Sequence, residues 1–72
     1  MEDTIRLLDS VTLTQDLPQK GLRRGQVGTV VEQLGAYAYE VEFVGVNGET
    51  YALLPLRLDQ IMVLRYAPAQ TA

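Results

Sequence analysis

The chain has 72 residues, 47% of them hydrophobic, and a formal charge of -3 from 9 acidic and 6 basic side chains. That length makes one domain, which buries only roughly 60% of the surface its unfolded chain exposes. The absence of cysteine and histidine excludes disulfides, thiolate metal sites, cysteine nucleophiles and the commonest general base, and the acidic balance disfavours a partner gripped by phosphate neutralisation.

The N-terminus, Met1 to Leu8, starts acidic and has no continuous apolar stretch, so it does not read as a signal peptide. No segment approaches the roughly 20 apolar residues of a membrane span, and the cytoplasm is the expected compartment. Asp3 to Leu8 suits either one helical turn or an extended run. The first strand is expected at Val11 to Thr14, with Val11 and Leu13 facing inward. Pro18, Gly21 and Gly25 break the stretch from Gln15 to Gln26 into an irregular loop.

Val27 to Leu34 is rich in β-branched residues and reads as a second strand. Its alternation fails at Val30 and Val31, and a bulge or bend at Gly28 would reconcile this. After a turn at Gly35 and Ala36, Tyr39, Val41 and Phe43 alternate with Glu40 and Glu42, a strand pattern that a helix would scatter. Asn47-Gly48 is a strong hairpin signal. A two-residue turn there pairs Val46 with Glu49, Phe43 with Ala52, Val41 with Leu54 and Tyr39 with Leu56. It also sets Val44 beside Tyr51 and Glu42 beside Leu53 on the other face, while a bulge at Gly45 would swap the faces of the fourth strand. Pro55 suits an edge strand. Leu56 to Gln60 is long enough for one 3-10 turn, and Ile61 to Leu64 makes the fifth strand.

The expected core is Val11, Leu13, Leu17, Val27, Val30, Tyr39, Val41, Phe43, Leu54, Ile61 and Val63, with Leu58 closing one end. A single domain over residues 1–66 is followed by a small, polar tail over 67–72.

The stretch from Gly21 through Arg23, Arg24, Gly25 and Gly28 to Val31 resembles the glycine-punctuated turn into the second strand of SH3-like and KOW-type barrels. With Val11, Leu13, Asp16, Leu17 and Pro18 before it and Tyr39 to Phe43 after it, the pattern resembles a family of short bacterial proteins of unknown function. The resemblance runs from about Leu8 to Leu64 and implies an all-β fold, a small five-stranded SH3-like barrel with a short 3-10 turn before the last strand. It supplies a bacterial context and no chemistry. Some proteins of this kind resemble partners of a larger neighbour, as antitoxins or complex subunits do.

Ser10 has no histidine to activate it and reads as a turn residue, so no catalytic residue is expected. Glu40 and Glu42 stand about 7 Å apart on one strand face, a spacing open to a carboxylate pair, but an alternating solvated face explains them better. No loop supplies the further oxygens a hard cation needs, so neither metal nor cofactor is expected. Lys20, Arg23 and Arg24 form a local basic patch that a KOW-like RNA-binding module would use, yet four glutamates flank it. Proline-motif recognition is disfavoured by the lack of tryptophan, with Tyr37 and Tyr66 isolated. What remains is a non-enzymatic protein-interaction module. Its expected contact residues are Val44, Tyr51 and Leu53 on the outer face, with Arg23 and Arg24 steering at the rim. The partner is another protein, and membrane binding is not expected.

Overall fold

The computed structural model describes residues 4–66 and 68. Its strands are β1 (Ser10–Leu13), β2 (Val27–Gln33), β3 (Ala38–Val44), β4 (Thr50–Arg57) and β5 (Ile61–Val63). Single 3-10 turns occupy Pro18–Lys20 and Leu58–Gln60. The strands form one 5-stranded antiparallel sheet in the order β4-β3-β2-β1-β5. Among the described residues no ladder joins β5 to β4, so the fold is all-β with an open sheet rather than a barrel closed by strand pairing. The tail expected over 67–72 lies, Pro68 apart, outside the described residues.

Alternation drives the strands. In β3, Tyr39, Val41 and Phe43 are buried and Glu40 and Glu42 point outward. Opposite them, the expected pairs Phe43–Ala52, Val41–Leu54 and Tyr39–Leu56 are all present. The Leu58 amide donates to the Tyr37 carbonyl at 2.8 Å and continues this ladder. Residues 39/56 and 41/54 are therefore hydrogen-bonded pairs, and Pro55 falls between them. Its missing donor faces away from β3, as an edge strand allows.

The hairpin tip departs from expectation. Gly48 donates to the Gly45 carbonyl at 2.9 Å, Gly45 donates to the Glu49 carbonyl at 2.8 Å, and of the turn residues only Gly48 has positive φ, +83°. This is a three-residue loop ending in a left-handed glycine, not a two-residue turn. The odd loop length is absorbed by a bulge next to Phe43, so Val44 pairs with Thr50 and not with Tyr51.

In β2 the bulge lies at Val31, between the Val30–Val41 and Glu32–Glu40 pairs, and not at Gly28. Gly28 faces inward in regular alternation. A Cβ there would stand 2.6 Å from Val41 Cγ1 and 2.9 Å from the Glu42 carbonyl oxygen, so close strand approach requires glycine.

Two expected core residues are outside. Val27 alternates outward with Thr29 and is 47% exposed, and Leu58 is 37% exposed on its short turn. Ile5, Leu22 and Leu56, absent from the expected core, are buried in it. A tight turn at Arg6–Asp9, closed by the Asp9 amide on the Arg6 carbonyl, precedes β1 and lets Ile5 fold over the core. Leu22 is pinned by reciprocal backbone bonds with Leu17 at 2.9 and 3.1 Å. The N-terminal stretch contains no helix over the described residues 4–9.

Candidate interaction surface

The outward residues fall into rows across the strands. One row runs Leu53–Glu42–Thr29–Ser10 through consecutive pairings. Toward the hairpin tip, Thr50 pairs with Val44, and Val27 pairs with Thr12, which pairs with Met62. Val44, Val27, Leu53 and Met62 are each about half exposed. A third row runs Pro55–Glu40–Glu32.

Val44 and Leu53 thus share the outer face, but Tyr51 does not join them. The bulge puts Thr50 opposite Val44, and the Thr50 hydroxyl donates to the Glu42 carboxylate on the outer side. Tyr51 instead lies over Gly45 on the side of Phe43, with the two rings 6.1 Å apart and tilted by 43°. Its hydroxyl accepts from Gln26 Nε2 at 3.2 Å. The ring covers the buried end of the sheet while staying about half exposed.

Arg23 and Arg24 occupy an exposed turn held at both ends. The Arg23 amide donates to Gln26 Oε1 at 2.6 Å, and the Gln26 amide donates back to the Arg23 carbonyl at 3.2 Å. The Arg24 amide donates to Asp16 Oδ1 at 2.8 Å, which sets a carboxylate inside the basic patch. Gly25, at φ +96°, turns the chain back to β1. Lys20 stands apart in the first 3-10 turn, lining a groove of about 510 Å³ whose other walls include Pro18, Leu54, Pro55 and Arg57. A second, open hollow of about 620 Å³ brings Tyr37 and Leu58 together beside the Arg57–Asp59 ion pair, 3.0 Å long and exposed. Neither hollow is legible in the sequence. Their walls come from segments far apart in the chain, and no local pattern announces them.

Ser10 lies within the β1 ladder opposite Thr29. Glu40 faces Glu32 directly, and Glu42 accepts from Thr50. Among the described residues no group of three or more acidic side chains gathers to hold a metal ion. No helix among them is long and apolar enough to cross a membrane.

Over the described residues the structure is a small all-β fold with a five-stranded antiparallel sheet and two lone 3-10 turns. The chain belongs to the family described as domain of unknown function DUF4926, whose match spans residues 7–63 and so all five strands. No curated protein and no solved structure matches it.

Proposed function

We propose that this protein is a non-enzymatic protein-interaction module, an accessory subunit or antitoxin-like partner of a larger bacterial protein in the cytoplasm. In this reading the open sheet is the wall of an SH3-like barrel, since its strand order and the 3-10 turn before β5 suit one. The observation that carries the reading is the outer apolar surface. Leu53 and Val44 are 56% and 46% exposed on adjacent strands, and Val27 is 47% exposed on the same face of β2, two residues from Thr29, the partner of Glu42. Large apolar side chains left exposed on one face of a small domain suit a contact face. The partner docks there, and Arg23 and Arg24 lie at the rim and steer it.

The test is capture from a lysate of the source cell, with parent and Leu53→Asp baits compared after nuclease treatment. A stoichiometric protein held by the parent and lost by the variant supports the module. Equal capture by both baits overturns it.

A second reading, a KOW-like RNA-binding module, is favoured by the turn that holds Arg23 and Arg24 outward beside Gly25. Salt separates the two. RNA binding through these arginines falls steeply as salt rises, whereas an apolar interface hardly responds.

A further inference from the structure

The outward face of β2, β3 and β4 mixes two characters. Val27, Val44, Leu53 and Pro55 supply apolar surface, and Glu32, Glu40 and Glu42 supply charge of one sign. The cation at the margin of this face, Arg57, is paired with Asp59. Glu32 and Glu40 stand directly opposite one another in the ladder. Like charges in that position repel, so the free protein carries a cost on this face that a partner's cations would relieve. Among the described residues neither carboxylate has a hydrogen bond or ion pair. A second copy stacked face to face would add carboxylates to carboxylates, and a nucleic acid would be repelled.

We propose that this face docks a basic segment of a protein partner, one in which lysine or arginine alternates with aliphatic residues. The aliphatic groups cover Leu53, Val44 and Val27, and the cations stand over Glu40 and Glu32. The inference rests on the interaction-module reading and narrows its partner. The carboxylate rows attract the partner's cations, and Arg23 and Arg24 at the rim repel them, which fixes how the partner is set on the face.

The test is a titration of the isotope-labelled full chain with three nonapeptides, alternating leucine–lysine, leucine–glutamate and serine–lysine, followed by amide chemical shifts. The leucine–lysine peptide is expected to move Thr29, Val44 and Leu53, with the other two far weaker. Its affinity should fall by only about threefold between about 50 mM and 500 mM salt, since the exposed ion pairs are screened while the aliphatic contacts hardly respond. A double variant, Glu32→Gln with Glu40→Gln, should bind it at least about threefold more weakly, the scale of two exposed ion pairs. That variant should also melt no lower than the parent, because it relieves the repulsion. Equal binding of the leucine–glutamate peptide, unchanged binding by the double variant, or shifts centred on Arg23 and Arg24 would overturn the proposal. So would the same shifts appearing on concentration without peptide, which would name a second copy. If these tests fail while Leu53→Asp still loses its captured protein, only the charge argument falls. If Leu53→Asp captures as the parent does, the module reading falls with it.

Discussion

The side-chain amide of Gln26 joins two segments at once. Its oxygen accepts from the Arg23 amide at 2.6 Å and its nitrogen donates to the Tyr51 hydroxyl at 3.2 Å. The turn bearing Arg23 and Arg24 is thereby tied to the bulge of the β3–β4 hairpin, and Tyr51 is held over Phe43. Rigid presentation of that turn depends on a residue with no charge.

Tyr51→Phe removes the hydroxyl and keeps the ring. The cost should lie near the low end of roughly 0.5–1.5 kcal/mol, because the bond is exposed. Tyr51→Ala also uncovers Phe43 and should cost clearly more. Urea unfolding of both variants measures the difference, and amide exchange at Arg23 and Gln26 reports whether the turn loosens. Equal costs would show that the ring contact contributes nothing.

Gly28 and Gly35 make a matched pair. At Gly28 an added Cβ meets Val41 Cγ1 at 2.6 Å, the Glu42 carbonyl oxygen at 2.9 Å and Phe43 Cδ2 at 3.1 Å, while at Gly35 nothing lies within 4 Å. The carbonyl belongs to the backbone and cannot swing away. Gly28→Ala should therefore destabilise by about 1–3 kcal/mol, as overpacked cores do. Gly35→Ala should be neutral or stabilise by up to about 1 kcal/mol, through a less flexible unfolded chain. Thermal melts of the two variants decide it.

These contacts mark what the sequence could and could not announce. The pairing of Val41 with Leu54 was legible because period-two alternation and an Asn-Gly turn fix a register between them. The last step before the turn was not, because loops of two and three residues share the same glycine, and the bulge that absorbs the difference has no residue signature at Tyr51. The Val30–Val31 doublet is itself the sign of the bulge, which lies there and not at Gly28. That glycine is there for room against Val41, a contact with a residue on another strand. Ile5 and Leu22 reach the core through turns, where periodicity says nothing. Of the candidate contact residues, Val44 and Leu53 share the outer face as the hairpin register expects, while Tyr51 turns inward at the bulge. The alternative of a bulge that swaps the faces of the whole fourth strand is not what forms, since Leu53 still pairs with Glu42 and Leu54 with Val41.

Val41 and Val44 test the two faces of one strand. Val41 is fully buried and Val44 is 46% exposed. Val41→Asp buries an unpaired carboxylate, a penalty comparable with the roughly 5–15 kcal/mol that holds a small domain together. The variant should show no cooperative melt. Val44→Asp should stay folded, with a shift of only a few degrees. A cooperative melt of Val41→Asp near that of the parent would mean that β3 faces the other way.

The loop at Gly45–Glu49 gives the sharpest contrast. A two-residue turn would need positive φ at both Asn47 and Gly48, whereas the three-residue loop needs it at Gly48 alone, here +83°. Asn47 serves through its side chain, whose Oδ1 accepts from the Glu49 amide at 3.1 Å. Gly48→Ala should cost about 1–2 kcal/mol, since an L side chain is strained in the left-handed region. Asn47→Ala gives up one exposed hydrogen bond and should cost about 0.5 kcal/mol. Replacing Gly48 with D-alanine in a synthetic chain should restore or exceed the parent's stability, because a D residue adopts positive φ without strain. Urea midpoints of the three chains rank the effects. If Asn47→Ala proves the costlier of the two natural substitutions, the strain resides at Asn47 and the hairpin closes through two residues after all.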